Sequence, residues 1–141
     1  MKKILALPKY IFESNFTNKE IEYYSYACFI SILDLDNNEN KYNKNLDNFL
    51  QVKMWDIEQD VYLDGKLKYS KPSTTEIKRI VWFINKHKDK SVFIIHCSAG
   101  ISRSGAVAMY DKNRLIFMLI YKPHYPFYFG CALKMIRVPM S

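Results

Sequence analysis

The sequence predicts an α/β fold built around a mainly parallel sheet, and three observations support this prediction. Residues 92–95 (VFII) form a short, fully apolar run that is typical of a central strand in a parallel sheet. An amphipathic helix is predicted immediately before it, over residues 73–88. An apolar, β-rich run, residues 26–33 (YACFISIL), precedes both. Strand, helix and strand in this order indicate a right-handed βαβ arrangement.

The segments before the helix are assigned in chain order. Residues 4–7 are apolar and end at Pro8, so they are expected to form a first strand or an edge strand. After the 26–33 strand, residues 34–48 are rich in Asn, Asp and Lys and are expected to form an exposed loop. Residues 49–55 (FLQVKMW) alternate well enough to predict a third strand.

The helix over residues 73–88 has both end signals. Ser73 and Glu76 have capping-box spacing, which predicts that each side chain binds the other residue's backbone N–H. The apolar residues Ile77, Ile80, Val81 and Ile84 fall on one face. The preceding residues 56–71 are expected to form a polar loop, with a turn at Asp64-Gly65. His87, in the last turn, and His124 have no partner at a suitable spacing and are expected on the surface.

Length and charge limit the possible functions. A chain of 141 residues predicts one domain, spanning residues 1–141, and a net charge of +7 favours anionic partners.

The three cysteines of the chain, Cys28, Cys97 and Cys131, lack metal-ligand or CxxC spacing, which favours a reduced cellular setting. The N-terminal apolar stretch is too short for a signal peptide, and no apolar run is long enough to span a membrane. These features predict a cytoplasmic protein.

The chemistry of the chain is concentrated directly after the VFII strand. Residues 96–105 read HCSAGISRSG, which is the pattern HCxxGxxRS, and a helix-compatible run follows. A strand-to-helix loop can direct its backbone N–H groups inward and bind an anion, here through Ser98, Ala99, Gly100, Ile101, Ser102 and Arg103. Arg103 supplies a planar guanidinium group, whose N–H groups can bind two phosphoryl oxygens at once. The N–H dipoles favour the thiolate form of Cys97, which makes it a candidate nucleophile. Ser104 can donate a hydrogen bond to the sulfur when it leaves.

This stretch resembles the signature HCxxGxxR[ST] of the cysteine-dependent protein tyrosine phosphatases, including their dual-specificity branch. Residues 1 to about 110 also look like small phosphatase-like proteins of bacteria and their viruses, through MKKILALPKY, FISILDL and the element formed by residues 55–58 (WDIE). The resemblance implies a three-layer α/β fold, with a mostly parallel sheet of four or five strands flanked by helices. It also implies that His96 helps to fix the loop by hydrogen bonding, and that the enzyme needs no metal or other cofactor.

A phosphatase of this type also needs a general acid, and Asp56 is the predicted one. Asp56 follows Trp55, which can hold the loop in apolar surroundings and keep the carboxyl group protonated. It also corresponds to the position of the acid in the resembled family. Asp60 is the alternative in the same loop, whereas Asp64 is assigned to the turn before Gly65.

The predicted function is hydrolysis of phosphotyrosine, and also of phosphoserine or phosphothreonine, in a phosphorylated protein substrate through a phosphocysteine. One alternative is a phosphatase of lipids or RNA 5′-phosphates that uses the same chemistry, although the loop lacks extra lysines for highly anionic lipids. A second is a phosphate-binding module without turnover, and a third is a basic nucleic-acid-binding protein. No obligate nucleic acid or membrane partner is expected. Cys28 is expected to pack in the core, with a disulfide to oxidised Cys97 as the alternative.

The resemblance fades after Tyr110. Residues 111–141 look shortened relative to the family, and Pro123 and Pro126 interrupt regular structure there. Residues 115–121 are apolar on all sides and are compatible with a helix. The aromatic run over residues 121–129 is expected to be a core or oligomer contact rather than a stacking surface for nucleic acid. This departure predicts an atypical cover for the sheet and leaves the catalytic loop intact.

Overall fold

Parallel strands form the central sheet of the protein. The computed structural model describes residues 3–57, 59–98 and 103, together with the backbone of 117–120. Within this part of the chain, the sheet contains the strands β1 (Lys3–Pro8), β2 (Ala27–Leu33), β3 (Phe49–Lys53), β6 (Val92–Cys97) and β7 (Phe117–Ile120), and a separate hairpin pairs β4 (Val61–Leu63) with β5 (Lys66–Tyr69). The five strands of the sheet are arranged in the order β3-β2-β6-β1-β7, and all neighbours run parallel.

Helices cover both faces of the sheet, as the predicted three-layer α/β architecture requires. Helix α3 (Thr74–Lys86) packs its isoleucines and Phe83 against Cys28, Ile30 and Ile32 of β2. On the opposite face, Phe12 of α1 (Lys9–Asn15) and Ile21 of α2 (Asn18–Tyr23) pack against alternate residues of the same strand. Successive side chains of a strand point to opposite faces, so β2 contributes to both cores. Its burial on both sides explains its continuous apolar sequence.

The start of α3 agrees only partly with the prediction. The Ser73 hydroxyl accepts a hydrogen bond from the Glu76 N–H at 3.1 Å, as a capping residue should. The prediction that the Glu76 side chain binds the backbone N–H of Ser73 is wrong. The Glu76 carboxylate instead accepts the N–H of Lys53 and pairs with Arg79. Arg79 in turn donates to the carbonyl of Gln51. These side chains occupy backbone groups on the outer edge of β3, which would otherwise be open to another strand.

Other elements differ from the sequence prediction for identifiable reasons. Strand β1 is the first strand, as one of the two predicted alternatives had it, and it lies between β6 and β7 rather than at an edge. Residues 115–121 are compatible with a helix by sequence, but they contain strand β7, because β1 provides a parallel partner. Residues 56–71 contain the β4-β5 hairpin, whose turn has positive φ at both Asp64 and Gly65, as a two-residue hairpin turn requires.

His87 was expected on the surface, and this expectation is wrong. It is 3% exposed, and its Nδ1 and Nε2 lie 2.9 Å from the Phe83 carbonyl and 3.3 Å from the Asp47 carboxylate. The partner comes from the loop before β3, so no spacing along the helix indicated it. Cys28 is a fully buried core residue, as predicted, and forms no disulfide with another described residue. The expectations for His124, Cys131 and the cover formed by residues 111–141 lie outside the described residues, apart from the β7 backbone.

Helices α1 and α2 were not assigned from the sequence. Thr17 and Glu20 form a complete capping box at the start of α2, with the Thr17 N–H donating to Glu20. Phe12 is fully buried and packs edge-on against Phe29 of β2. Both helices are short, and their stability therefore depends on this packing more than on local propensity. None of the helices in the described part of the chain is long and apolar enough to cross a membrane.

Candidate active site

The candidate site lies at the carboxyl edge of the sheet, where β2, β3 and β6 end next to one another. Asp34 follows β2, Met54 follows β3, and Cys97 is the last residue of β6. Because these strands are parallel neighbours, the residues that follow them converge at one edge. The motif residues Cys97 and Ser98 therefore lie beside two loops that are far away in sequence.

Arg103 is the best-defined side chain of the site. It is 2% exposed, and its Nη1 donates to Asp34 Oδ1 and to the Met54 carbonyl, both at 2.7 Å. Its Nη2 donates to Ser98 Oγ at 3.2 Å. The Nε–H is buried and has no hydrogen-bond partner among the described residues. A buried N–H without a partner costs roughly 1–3 kcal/mol, so this group is available for an anion that enters the site.

Asp34 is a site residue that the sequence reasoning missed. It was placed in an exposed loop, but its carboxylate forms an ion pair with Arg103 and lies 3.5 Å from the Ser98 hydroxyl, which donates to it. Its side chain remains 40% exposed, whereas that of Arg103 is 3% exposed. Asp34 therefore compensates the buried charge and fixes one end of the guanidinium. The feature that could have indicated this role is the position of Asp34 directly after a buried strand that neighbours β6.

His96 belongs to a buried contact beneath the motif. It is fully buried, and its Nε2 lies 2.6 Å from Ser31 Oγ of the neighbouring strand β2. Its ring also packs against Phe12 at a centroid distance of 4.4 Å. Burial lowers the pKa of His96 to about 3, so the imidazole is neutral near pH 7. The contact joins β6 to β2 one residue before Cys97.

Cys97 and Cys28 lie at opposite ends of the sheet. Both are buried, and neither forms a disulfide with another described residue. Cys28 is paired in register with Phe93, four residues before Cys97 along β6, and Ser31 is paired with His96. At about 3.3 Å per residue, the two cysteines are separated by about 13 Å along the strand direction. This separation is too large for a disulfide without backbone movement, so the alternative pairing with Cys97 is wrong for this fold.

The two candidate acids have different surroundings. Asp56 is half-buried and lies two residues after Met54, whose carbonyl binds Arg103. Two residues span at most about 7 Å, so the Asp56 backbone lies near the guanidinium. Asp60 is exposed, and its carboxylate accepts the Lys71 N–H at 2.8 Å, which ties the loop to the segment before α3. Trp55 packs edge-on against Tyr69 of the hairpin and holds the start of the loop.

The chain matches a protein-family model that is described as protein-tyrosine phosphatase, over residues 9–119. The match covers most of the chain. The chain belongs to the protein-tyrosine phosphatase family. A search of curated proteins finds no significant match.

The matched range contains Asp34, Asp56, Cys97 and Arg103. It also continues past Tyr110, where the resemblance was expected to fade, and reaches into β7. The remaining predicted cradle residues, Ala99, Gly100, Ile101 and Ser102, and the supporting residue Ser104 lie outside the described residues. Their backbone N–H groups therefore remain part of the prediction made from the motif.

Proposed function

We propose that this phosphatase hydrolyses phosphotyrosine, and also phosphoserine and phosphothreonine, in proteins through a phosphocysteine and without a metal ion. The observation that carries the proposal is the placement of Arg103. Its guanidinium is buried at the carboxyl edge of the sheet, held by Asp34 and Met54, with Nε left for a ligand. A guanidinium held in this way binds a phosphoryl group in a fixed orientation.

In the first chemical step, the Cys97 thiolate attacks phosphorus and a P–S bond forms. The P–O bond to the substrate breaks, and the leaving oxygen takes a proton from Asp56. Arg103 and the motif N–H groups stabilise the negative charge on the phosphoryl oxygens. The half-buried position of Asp56, near the Met54 carbonyl that Arg103 binds, supports this choice of acid.

In the second step, the Asp56 carboxylate accepts a proton from water, and the water oxygen attacks phosphorus. The P–S bond breaks, Cys97 leaves as the thiolate, and inorganic phosphate is released. Asp60 is less suited to these steps, because its carboxylate already holds the Lys71 N–H. His96 is also unsuited to act as the base, since its neutral ring faces Ser31 inside the core.

The direct test is hydrolysis of a generic aryl phosphate in the presence of EDTA, followed by the same assay on phosphotyrosine and phosphoserine peptides. Rapid acid quenching followed by mass spectrometry should detect a phosphoryl group on the peptide that contains Cys97. The Cys97→Ser variant should show neither turnover nor this adduct. Turnover that EDTA abolishes, or an adduct on another residue, would contradict the proposal.

A further inference from the structure

A groove runs along the outer edge of β3, between Trp55 and the segment before α3. We call it the β3-edge groove; its volume is about 440 Å³. Its floor includes Gln51 and Lys53 of β3, and its walls come from the loops on either side and from the start of α3. The charged side chains that line it are Lys44, Lys53, Lys71, Glu76 and Arg79.

The β3-edge groove has an excess of positive charge. Glu76 and Arg79 neutralise each other through contacts at 2.9 and 3.1 Å. Among the described residues, no carboxylate pairs with the ammonium groups of Lys44, Lys53 or Lys71. Three lysine ammonium groups along one groove, without a carboxylate partner in the described part of the chain, are complementary to a ligand with several carboxylates.

Gln51 closes the floor of the groove and is 9% exposed. Its Oε1 is buried, so the lysine side chains, and not this acceptor, are the groups that a ligand can reach. A peptide fits this arrangement, because several acidic side chains along one chain can bind the three lysines at the same time.

The groove is continuous with the candidate active site. Met54 and Trp55 line it, and the Met54 carbonyl accepts a hydrogen bond from Arg103. A polypeptide whose phosphorylated residue reaches Arg103 can therefore extend along the groove within a few residues.

We propose that the β3-edge groove binds an acidic segment of the phosphoprotein substrate, adjacent to its phosphorylated residue. This proposal rests on the proposed phosphatase function. It makes the groove a specificity site: phosphorylated residues that are flanked by Glu or Asp are preferred over those with neutral flanks. Small aryl phosphates do not reach the groove and are independent of it.

The test compares two phosphotyrosine peptides of equal length, one with Glu and one with Gln at the flanking positions, together with a small aryl phosphate. We expect kcat/KM for the Glu peptide to exceed that for the Gln peptide by about 10-fold at low salt, because several weak ion pairs add. In the double variant Lys53→Gln and Lys71→Gln, this ratio should fall to about 2-fold. Hydrolysis of the aryl phosphate should not change.

The matched control removes the same charge elsewhere. Lys19→Gln with Lys88→Gln changes two exposed lysines outside the groove, in α2 and after the end of α3. This control should keep the 10-fold preference, because the effect is local rather than due to net charge.

A binding measurement keeps this proposal separate from the proposed function. Fluorescence anisotropy with a labelled Glu-rich peptide that carries no phosphate should show binding that weakens with added salt and with the Lys53 and Lys71 substitutions. An unchanged peptide preference in this double variant, or an equal loss in the Lys19 and Lys88 control, would overturn the groove proposal alone. Stronger competition by an RNA oligonucleotide than by the peptide would overturn it in favour of nucleic acid. Absence of aryl phosphate hydrolysis by the wild-type protein would overturn the proposed function instead, and the anisotropy result would then decide the groove.

Discussion

The carboxyl and amino edges of the central sheet contain the same kinds of side chain and use them differently. At the amino edge, His87 contacts the Phe83 carbonyl and Asp47, and Lys86 donates to the same carboxylate at 2.9 Å. At the carboxyl edge, Asp34 holds Arg103, whose Nε has no partner among the described residues. The first network has its polar groups satisfied, whereas the second keeps a buried donor that a ligand can use.

This difference separates groups that stabilise the fold from groups that are available for chemistry. Buried polar groups normally have partners, so a buried donor without one is a group that is not used to hold the fold together. The two cysteines belong to the same apolar cluster but differ in position, because Cys28 lies near the start of β2 while Cys97 ends β6 and is followed by Ser98 and the motif loop. Substitutions at matched positions of the two edges test it.

The largest effect is expected for the two cysteines. Cys97→Ser should lower kcat on an aryl phosphate by about 10³-fold or more, because serine is not ionised near pH 7. Cys28→Ser should retain kcat and lower only the melting temperature, since it buries a hydroxyl in the core. Steady-state kinetics and thermal unfolding of both variants distinguish these results. More than a few per cent activity in Cys97→Ser would remove the proposed nucleophile.

The second effect concerns the shape of the cation at the carboxyl edge. Arg103→Lys keeps the charge but loses the planar guanidinium group that binds two oxygens, and kcat/KM should fall by about 10²-fold. Arg79→Lys makes the same replacement at the edge of β3 and should leave hydrolysis of the aryl phosphate unchanged. Kinetics for Arg103→Lys that resemble the wild type would contradict the phosphate-binding geometry.

The third prediction compares two acids of one loop. Asp56→Asn should slow hydrolysis of an aryl phosphate with a poor leaving group by about 10²-fold, and should have little effect with a very good leaving group. It should also flatten the alkaline limb of the pH–rate profile. Asp60→Asn should lose stability through the Lys71 contact and keep the pH profile. The reverse pattern would transfer the acid role to Asp60.

The fourth prediction compares Asp34 with Asp47. Asp34→Asn leaves the Arg103 charge without its carboxylate and should lower kcat/KM by on the order of 10-fold. Asp47→Asn removes the contacts to Lys86 and His87 and should affect stability only. Equal kinetic effects of the two substitutions would show that Asp34 has no special relation to Arg103.

The smallest effect on activity, and a clear effect on stability, is expected for His96. Its pKa of about 3 in the folded protein lies below the ordinary value of 6.5, so protonation favours the unfolded chain. The stabilising effect of the neutral ring is complete above pH 6.5 and decreases as the pH falls towards 3. Between pH 7 and pH 4, the loss is on the order of 3 kcal/mol in the free energy of unfolding.

The His96→Gln variant is the control, since glutamine does not titrate. Urea unfolding at several pH values should show that the wild-type advantage over His96→Gln decreases from pH 7 to pH 4. Effects of the carboxylates common to both proteins cancel in this difference. A constant difference would show that the buried ring does not contribute to the pH dependence.

The sequence predicted the main sheet and helix correctly where periodicity was strong. The central strand at residues 92–95, the strand at 26–33 and the Ser73-capped helix agree with β6, β2 and α3. The predicted strand over residues 49–55 ends earlier, at Lys53. The short helices α1 and α2 were missed, because six or seven residues give little periodic signal and depend on packing.

For the candidate site, the motif alone was sufficient to single out Cys97 and Arg103 and to indicate the protein-tyrosine phosphatase family, which the family match confirms. The sequence also determined the parallel sheet, since apolar runs and turn signals depend mainly on neighbouring residues. Only the tertiary structure showed that Asp34 and Met54 hold Arg103, across 69 and 49 residues of sequence. It also showed that the Glu76 carboxylate binds the Lys53 N–H at the edge of β3 instead of capping α3, and that Gln51 lines a basic groove. Such contacts depend on which strands become neighbours, and parallel pairing brings together loop residues that no local pattern connects.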